Sequence, residues 1–186
     1  MIPIMLNPRR LAIALIGDNE AAARRVGQLV EGGAETLTVY SEAPTDALRQ
    51  AAGHRLRPGL PAPEALGRYN IVYMVDQPQE RTRRFHAAAK RAGALVNVED
   101  DLRYCDFHSP ALVRRGDLVL TVSTGGKSPG LAARLRRHLE TAFGPEWASR
   151  LDDLGARRRG WRADGLALPD LAAKTDAAID REGWLS

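Results

Sequence analysis

The sequence predicts an α/β fold on a parallel, doubly wound sheet, followed by a short strand pair and a small helical C-terminal part. Three observations carry this. Short apolar runs alternate with longer helix-forming stretches as far as Val98, the pattern of strands joined by helical crossovers. Beyond Asp100 two apolar runs follow with no helix between them, so the alternation ends there. Hydrophobic residues make up 44% of 186 residues and aromatics only 5%, so one domain-sized core is affordable and consists mostly of Ala, Val, Leu and Ile.

The elements follow in order. Arg10 to Ile16 is an apolar run stopped by Gly17 and reads as a buried strand. Glu20 to Glu31 places Ala22, Ala23, Val26, Leu29 and Val30 at helical spacing and ends at Gly32-Gly33. Thr36 to Tyr40 is a second strand, and Pro44 to Ala52 a helix. His54 to Ala62 is an extended piece and a turn. Tyr69 to Val75 is a strand, Pro78 to Ala92 a long helix, and Ala94 to Val98 a strand again. Ala111 to Arg115 and Asp117 to Val122 are strands joined by a tight turn at Gly116. A helix from Leu131 to Phe143 starts near Ser128-Pro129. Gly144-Pro145 breaks it, and helical stretches run from Glu146 to Arg158 and from Leu168 to Arg181.

In a parallel sheet, ligands bind beyond the C-terminal strand ends. Those ends are Gly17-Asp18-Asn19, Ser41-Glu42, Asp76-Gln77 and Glu99-Asp100, and all are expected to line one crevice. A strand, a glycine turn and a helix open a dinucleotide unit, because glycine lets a diphosphate approach the backbone and the helix N-terminus favours its charge. Here one glycine of that turn, Gly17, is present, and Asp18 and Glu20 put negative charge where a diphosphate would lie. Asn19 suits the helix N-cap. Two readings stay open: a modified NAD site and a fold whose nucleotide site has decayed. Glu42 stands where an acid accepts hydrogen bonds from a ribose, which favours NAD over NADP, or it is a plain solvated residue. The cofactor positions are Gly17, Asp18, Asn19, Glu20 and Ala21 on the first turn, with Ser41, Glu42 and Ala43 after the second strand.

Asp100 lies just past a strand end, where a carboxylate can take a proton. Glu99 and Asp101 crowd it with like charge, which favours that role. Turn formation or capping by Asp100 and Asp101 is the alternative. Ser123-Thr124-Gly125-Gly126-Lys127 precedes a helix, and its backbone amides beside Lys127 make an anion cradle, or a glycine-rich turn without ligand. It does not match a Walker loop.

The formal charge is +4, with basic residues concentrated late, at Arg134, Arg136, Arg137, His138 and Arg157 to Arg159. These form solvated helix faces or meet a polyanionic small molecule. Interleaved aromatics and nucleic-acid motifs are missing, so nucleic acid is not expected as a partner. Cys105 is the single cysteine, which excludes an intramolecular disulfide and points to a reducing compartment, and it reads as a packed side chain. The four histidines show no ligand spacing, so no metal site is expected. With no signal-peptide pattern at the start and no membrane span, the expectation is a soluble, cytoplasmic protein.

The run Val96-Asn97-Val98-Glu99-Asp100, the Cys105-Asp106-Phe107 segment with Pro110-Ala111, the Arg115-Gly116-Asp117-Leu118 turn and the Ser123 to Pro129 loop with Leu131-Ala132 resemble the precorrin-2 dehydrogenases, the N-terminal modules of sirohaem synthases. The opening Pro3 to Asn7 is similar too. The resemblance covers about residues 1 to 143. It implies a Rossmann-like NAD-binding domain over residues 1–108, a dimerisation segment and helix over 109–143, and a helical C-terminal domain over 144–186. It implies NAD-dependent oxidation of the tetrapyrrole precorrin-2 to sirohydrochlorin and, in bifunctional members, insertion of ferrous iron. Asp100 matches the family's essential aspartate and Asn97 a neighbouring substrate position. Ser123, Thr124, Gly125, Gly126 and Lys127 would hold substrate carboxylates. A homodimer follows from the resemblance and from strand edges that need covering. The family's triple glycine reads Gly17-Asp18-Asn19 here, and its Ala-Thr-Asp reads Met74-Val75-Asp76, both on the nucleotide side. That leaves a chelatase or tetrapyrrole-binding protein without the redox step, or a non-catalytic regulatory protein, as alternatives. No methyltransferase domain is present in this sequence, so only the later steps are expected of it.

Overall fold

The computed structural model describes residues 2–185, in two compact units, one running to Ser109 and the other starting at Pro110. In the first unit β1 (Ala12–Ile16), β2 (Thr36–Ser41), β3 (Leu56–Pro58), β4 (Ile71–Met74) and β5 (Leu95–Val98) form one parallel sheet in the order β3-β2-β1-β4-β5. The expected Rossmann-like sheet is therefore present. The expected extended piece after His54 supplies its edge strand, β3.

The sheet is buried on both faces, which is why β1 and β4 read as continuous apolar runs. α1 (Glu20–Glu31) and α2 (Asp46–Ala52) cover one face, burying Ala22, Val26 and Leu48 against Ile13, Leu15, Val39 and Ile71. α3 (Gln79–Arg91) and a 3-10 turn over Pro63–Arg68 cover the other, where Phe85, Ala88 and Leu66 meet Ala14, Ile16, Val72 and Val96. Successive strand residues thus serve opposite faces. Caps set the helix starts: Asn19 Oδ1 accepts from Ala22 N at 3.1 Å, and Thr45 Oγ1 from Leu48 N at 3.3 Å.

In the second unit β6 (Ala111–Arg115) and β7 (Leu118–Val122) pair antiparallel, and Gly116 at φ 59° makes the turn. A side chain there would also crowd Ala148, 3.3 Å from an added Cβ. α4 (Pro129–Ala142), α5 (Trp147–Ala163) and α6 (Leu168–Glu182) follow. α5 runs further than the sequence predicts. Arg157 supports it by pairing with Asp153 one turn back, 2.5 Å away, and with Glu182 of α6, 2.6 Å away. Arg115 donates to Phe143 O (2.8 Å) and Glu140 O (3.3 Å), tying β6 to the C-terminal carbonyls of α4. Arg150 lies over the rings of Trp147 and Trp184, 5.1 and 5.4 Å from their centres, so aromatic and cation contacts join α5 to the chain after α6. Both the expected dimerisation segment and the expected helical tail belong to this one unit. Among the described residues no helix is long and apolar enough to cross a membrane.

Candidate active site

The strand order changes direction between β1 and β4, where an open parallel sheet forms its ligand crevice. A cavity of about 520 Å³ opens there, lined among others by Asn19, Ala21, Asp76, Gln77, Glu99 and Asp100. Three of the four strand ends expected in the crevice supply its walls. The end of β2 does not. It is tied to the others through Asp18 and Arg81.

On the first turn, the Asp18 carboxylate is hydrogen-bonded through Oδ1. It turns onto the end of β2, accepting from Ser41 Oγ, from Glu42 N at 2.9 Å and from Ala43 N at 3.2 Å. Uncharged donors, one hydroxyl and two amides, thus hold one of its oxygens. Glu20 stays exposed at the start of α1. Asn19 caps α1 and also bridges the crevice, donating from Nδ2 to Asp76 Oδ2 at 2.8 Å. Gly17 is required by packing. An added Cβ would sit 2.8 Å from Ala22 Cβ and 3.2 Å from Val75 O, so α1 starts hard against β1 and β4. Glu42, the expected ribose acceptor, pairs with Arg81 of α3 at 2.7 Å.

The end of β5 is organised differently. Asp100 has φ 64° and Asp76, at the end of β4, has φ 50°, so both carboxylates leave their strands through left-handed backbone that few side chains adopt. Asp100 is exposed and holds no side-chain hydrogen bond or ion pair among the described residues. The two acids that flank Asp100 each have a cationic partner of their own. Glu99 turns to Arg25 of α1, 3.6 Å away, and Asp101 turns to Arg103, at 2.9 and 2.7 Å. The hydrogen-bonded Arg103 guanidinium holds the Asp101 carboxyl below the usual carboxylate range. Arg25 also lies 5.5 Å over the Tyr73 ring; burial pushes that phenol up, against the pull of the guanidinium.

Asn97, expected beside the substrate, is buried and braces the loop that follows. Its Nδ2 donates to Phe107 O at 2.8 Å and to Cys105 Sγ at 3.7 Å. Cys105 is a packed side chain, as the sequence indicates. Sγ donates to Val98 O at 3.1 Å and accepts from Val98 N at 3.3 Å, and burial pushes its thiol up. Asp106 completes the brace, accepting from Val96 N at 2.8 Å and Lys90 Nζ at 2.6 Å.

The Ser123 to Lys127 loop belongs to the second unit. Gly125 and Gly126 take φ 63° and 81°. Several polar groups close on the loop itself: Thr124 Oγ1 donates to Ser128 O and accepts from Ser128 N, and Gly125 N donates to Ser123 Oγ. Ser128 Oγ caps α4 by accepting from Leu131 N at 3.2 Å.

Two residues that pair with acids at the strand ends, Arg25 and Arg81, escaped the sequence expectation. Arg81 did leave a local signal: a cation in the first turn of a helix opposes the helix dipole, which implies a partner elsewhere.

Comparison with known proteins agrees with this layout. Residues 4–111 match the family described as "Putative NAD(P)-binding". The chain belongs to this NAD(P)-binding family. Residues 115–142 match the family described as "Sirohaem biosynthesis protein central". A siroheme synthase from Nitrosococcus oceani is 32% identical across 85% of this chain and 34% of its own length. One from Tolumonas auensis is 27% identical across 100% of this chain and 43% of its own length. The chain thus spans well under half the length of these relatives. The solved structure of SirC, a precorrin-2 dehydrogenase, superposes with a TM-score of 0.80 at 19% identity, covering 100% of this chain and 93% of that one, so the fold is shared. The resemblance to the sirohaem-synthase N-terminal module is borne out.

The crevice fits a dinucleotide. Gly17 lets α1 begin close to the strand ends. Asn19 takes the Ala22 and Ala23 amides, which leaves the amides of Glu20 and Ala21 without an intrahelical acceptor. Asp18, the acid on this turn, has its Oδ1 hydrogen-bonded to the end of β2.

Proposed function

We propose that the chain catalyses a step of sirohaem biosynthesis, the NAD-dependent oxidation of precorrin-2 to sirohydrochlorin. The observation that carries this reading is Asp100. It is an unpartnered carboxylate in left-handed backbone beside the dinucleotide crevice, in a chain whose relatives are siroheme synthases. Oxidation removes two hydrogens from the macrocycle. NAD, when bound, accepts one as hydride, and the Asp100 carboxylate takes the other as a proton. Asn97, Cys105 and Asp106 hold the β5 end and the loop behind it, so they orient Asp100 indirectly. Glu42, Ser41, Ala43 and the Gly17 to Ala21 turn form the NAD side. In the second unit, Ser123, Thr124, Gly125, Gly126 and Lys127 hold substrate carboxylates, consistent with the chain's basic charge.

The protein acts in the cytoplasm as a homodimer on this reading; the two-stranded β6–β7 sheet, open at both edges, supports the second part. A second reading has its own support. The Asn19–Asp76 bridge across the crevice and the single glycine of the first turn suit a protein that keeps the tetrapyrrole and inserts ferrous iron without using NAD. The test is purified protein with precorrin-2 and NAD, followed by absorbance. Sirohydrochlorin formed with stoichiometric NADH supports the dehydrogenase. No NADH, with metal inserted into supplied sirohydrochlorin, supports the second reading.

A further inference from the structure

We infer that Arg81 is the diphosphate-binding cation of the dinucleotide site, supplying the charge that a glycine-rich turn would otherwise supply through its amides. The inference rests on the dinucleotide reading above. Its basis is a span. Arg81 Nη1 donates to Gln77 Oε1 at 3.0 Å, and Nη2 pairs with Glu42 Oε2 at 2.7 Å. Gln77 follows β4 and Glu42 follows β2, and β1 lies between these strands in the sheet. A guanidinium that touches both therefore lies across the end of β1, above the Gly17 to Asn19 turn. Gln77 is itself held, donating from Nε2 to Val75 O at 3.0 Å, so the span has a fixed footing.

The other cations around this crevice are committed elsewhere. Arg25 faces Glu99 and Arg103 faces Asp101. The cavity is otherwise lined by acids, namely Asp76, Glu99, Asp100 and Asp101, with Asp18 and Glu42 beside it at the end of β2. A diphosphate needs a counter-charge there, and Arg81 has the position and the planar donor fork for it. Its present partner on the β2 side is Glu42. On binding, ribose hydroxyls replace Arg81 at Glu42, and the guanidinium moves onto the phosphates beside it.

The experiment is calorimetric binding of NAD, ADP and adenosine to wild type, Arg81→Gln and Arg81→Lys. Wild type is expected to hold ADP more tightly than adenosine. Arg81→Gln should weaken NAD and ADP by roughly 10- to 100-fold, the worth of charge-assisted hydrogen bonds, and leave adenosine within about twofold. Arg81→Lys should fall between them. Wild type that binds NAD, with Arg81→Gln binding it equally or more tightly, overturns the inference and leaves the dehydrogenase reading intact. Wild type that binds neither NAD nor ADP at millimolar concentration overturns both. If Arg81→Gln fails to fold, as thermal unfolding will show, the wild type decides alone: adenosine held as tightly as ADP overturns the inference.

Discussion

The two sides of the crevice treat their carboxylates in opposite ways. At the ends of β1 and β2, Asp18 takes hydrogen-bond donors from Ser41, Glu42 and Ala43, and Glu42 takes Arg81. At the end of β5, Glu99 and Asp101 are each turned onto an arginine, while Asp100 between them stands exposed in left-handed backbone. The difference matches the two roles proposed for these sides. Neutralised, pre-arranged charge suits binding of a cofactor. A free carboxylate on a braced loop suits proton transfer, where the group must change partner during the reaction.

Breaking the β5 side should have the largest effect. Asp100→Asn keeps the shape and tolerates left-handed backbone, so the fold should survive. Precorrin-2 oxidation should fall by roughly 100- to 10,000-fold, the usual worth of a positioned acid or base, with tetrapyrrole binding retained. Stopped assays beside fluorescence titration of the substrate check this; full activity in Asp100→Asn removes Asp100 from the chemistry.

On the nucleotide side the sensitive position is Gly17. Gly17→Val should destabilise the first unit by about 1–3 kcal/mol, since the added atoms collide with Ala22 and the Val75 carbonyl, neither of which is a flexible chain end. Urea unfolding measures it. NAD binding should weaken further than the loss of fold accounts for, because α1 must back away from β1.

A smaller change sharpens the comparison at the brace. Asp106→Asn should cost about 1 kcal/mol, from weakened bonds to Lys90 and Val96 N. Burial pushes the Asp106 carboxyl up, but Lys90 and the Val96 amide outweigh this and hold it below the usual carboxylate range. The unfolded chain therefore binds its proton first as pH falls. The stabilisation is complete above the ordinary carboxylate value and is lost as pH drops through the folded one. Wild type and Asp106→Asn should converge in stability under acid and separate near neutrality. Parallel urea midpoints across that range test the sign.

Much of the fold was legible because it depends on local pattern. Apolar runs such as Ala12 to Ile16 are buried on both sheet faces, so composition alone marks them. Asn19 announces its helix because a cap is made within three residues; Thr45 and Ser128 cap theirs in the same way. β3 was not legible as a strand. Leu56–Pro58 has little apolar character, and it is a strand only through pairing with β2. The strand-end carboxylates and the dinucleotide turn could be located from the sequence, but not their pairings. Asp18 meets Ser41 across 23 residues and Asn19 meets Asp76 across 57. Asn97 is placed beside the substrate by the resemblance alone, and its amide bond to Phe107 O, ten residues on, could not be read from the sequence.

By itself the sequence determined the alternation of strands and helices, the caps, and the position of acids at strand ends, since hydrophobic period and turn chemistry act over a few residues. Only the tertiary structure decided that Asp18, Glu42 and Glu99 find partners on other elements while Asp100 finds none. Side-chain charge is settled by neighbours in space. Here those neighbours come from α1, β2 and α3, which the chain places together only by closing its sheet.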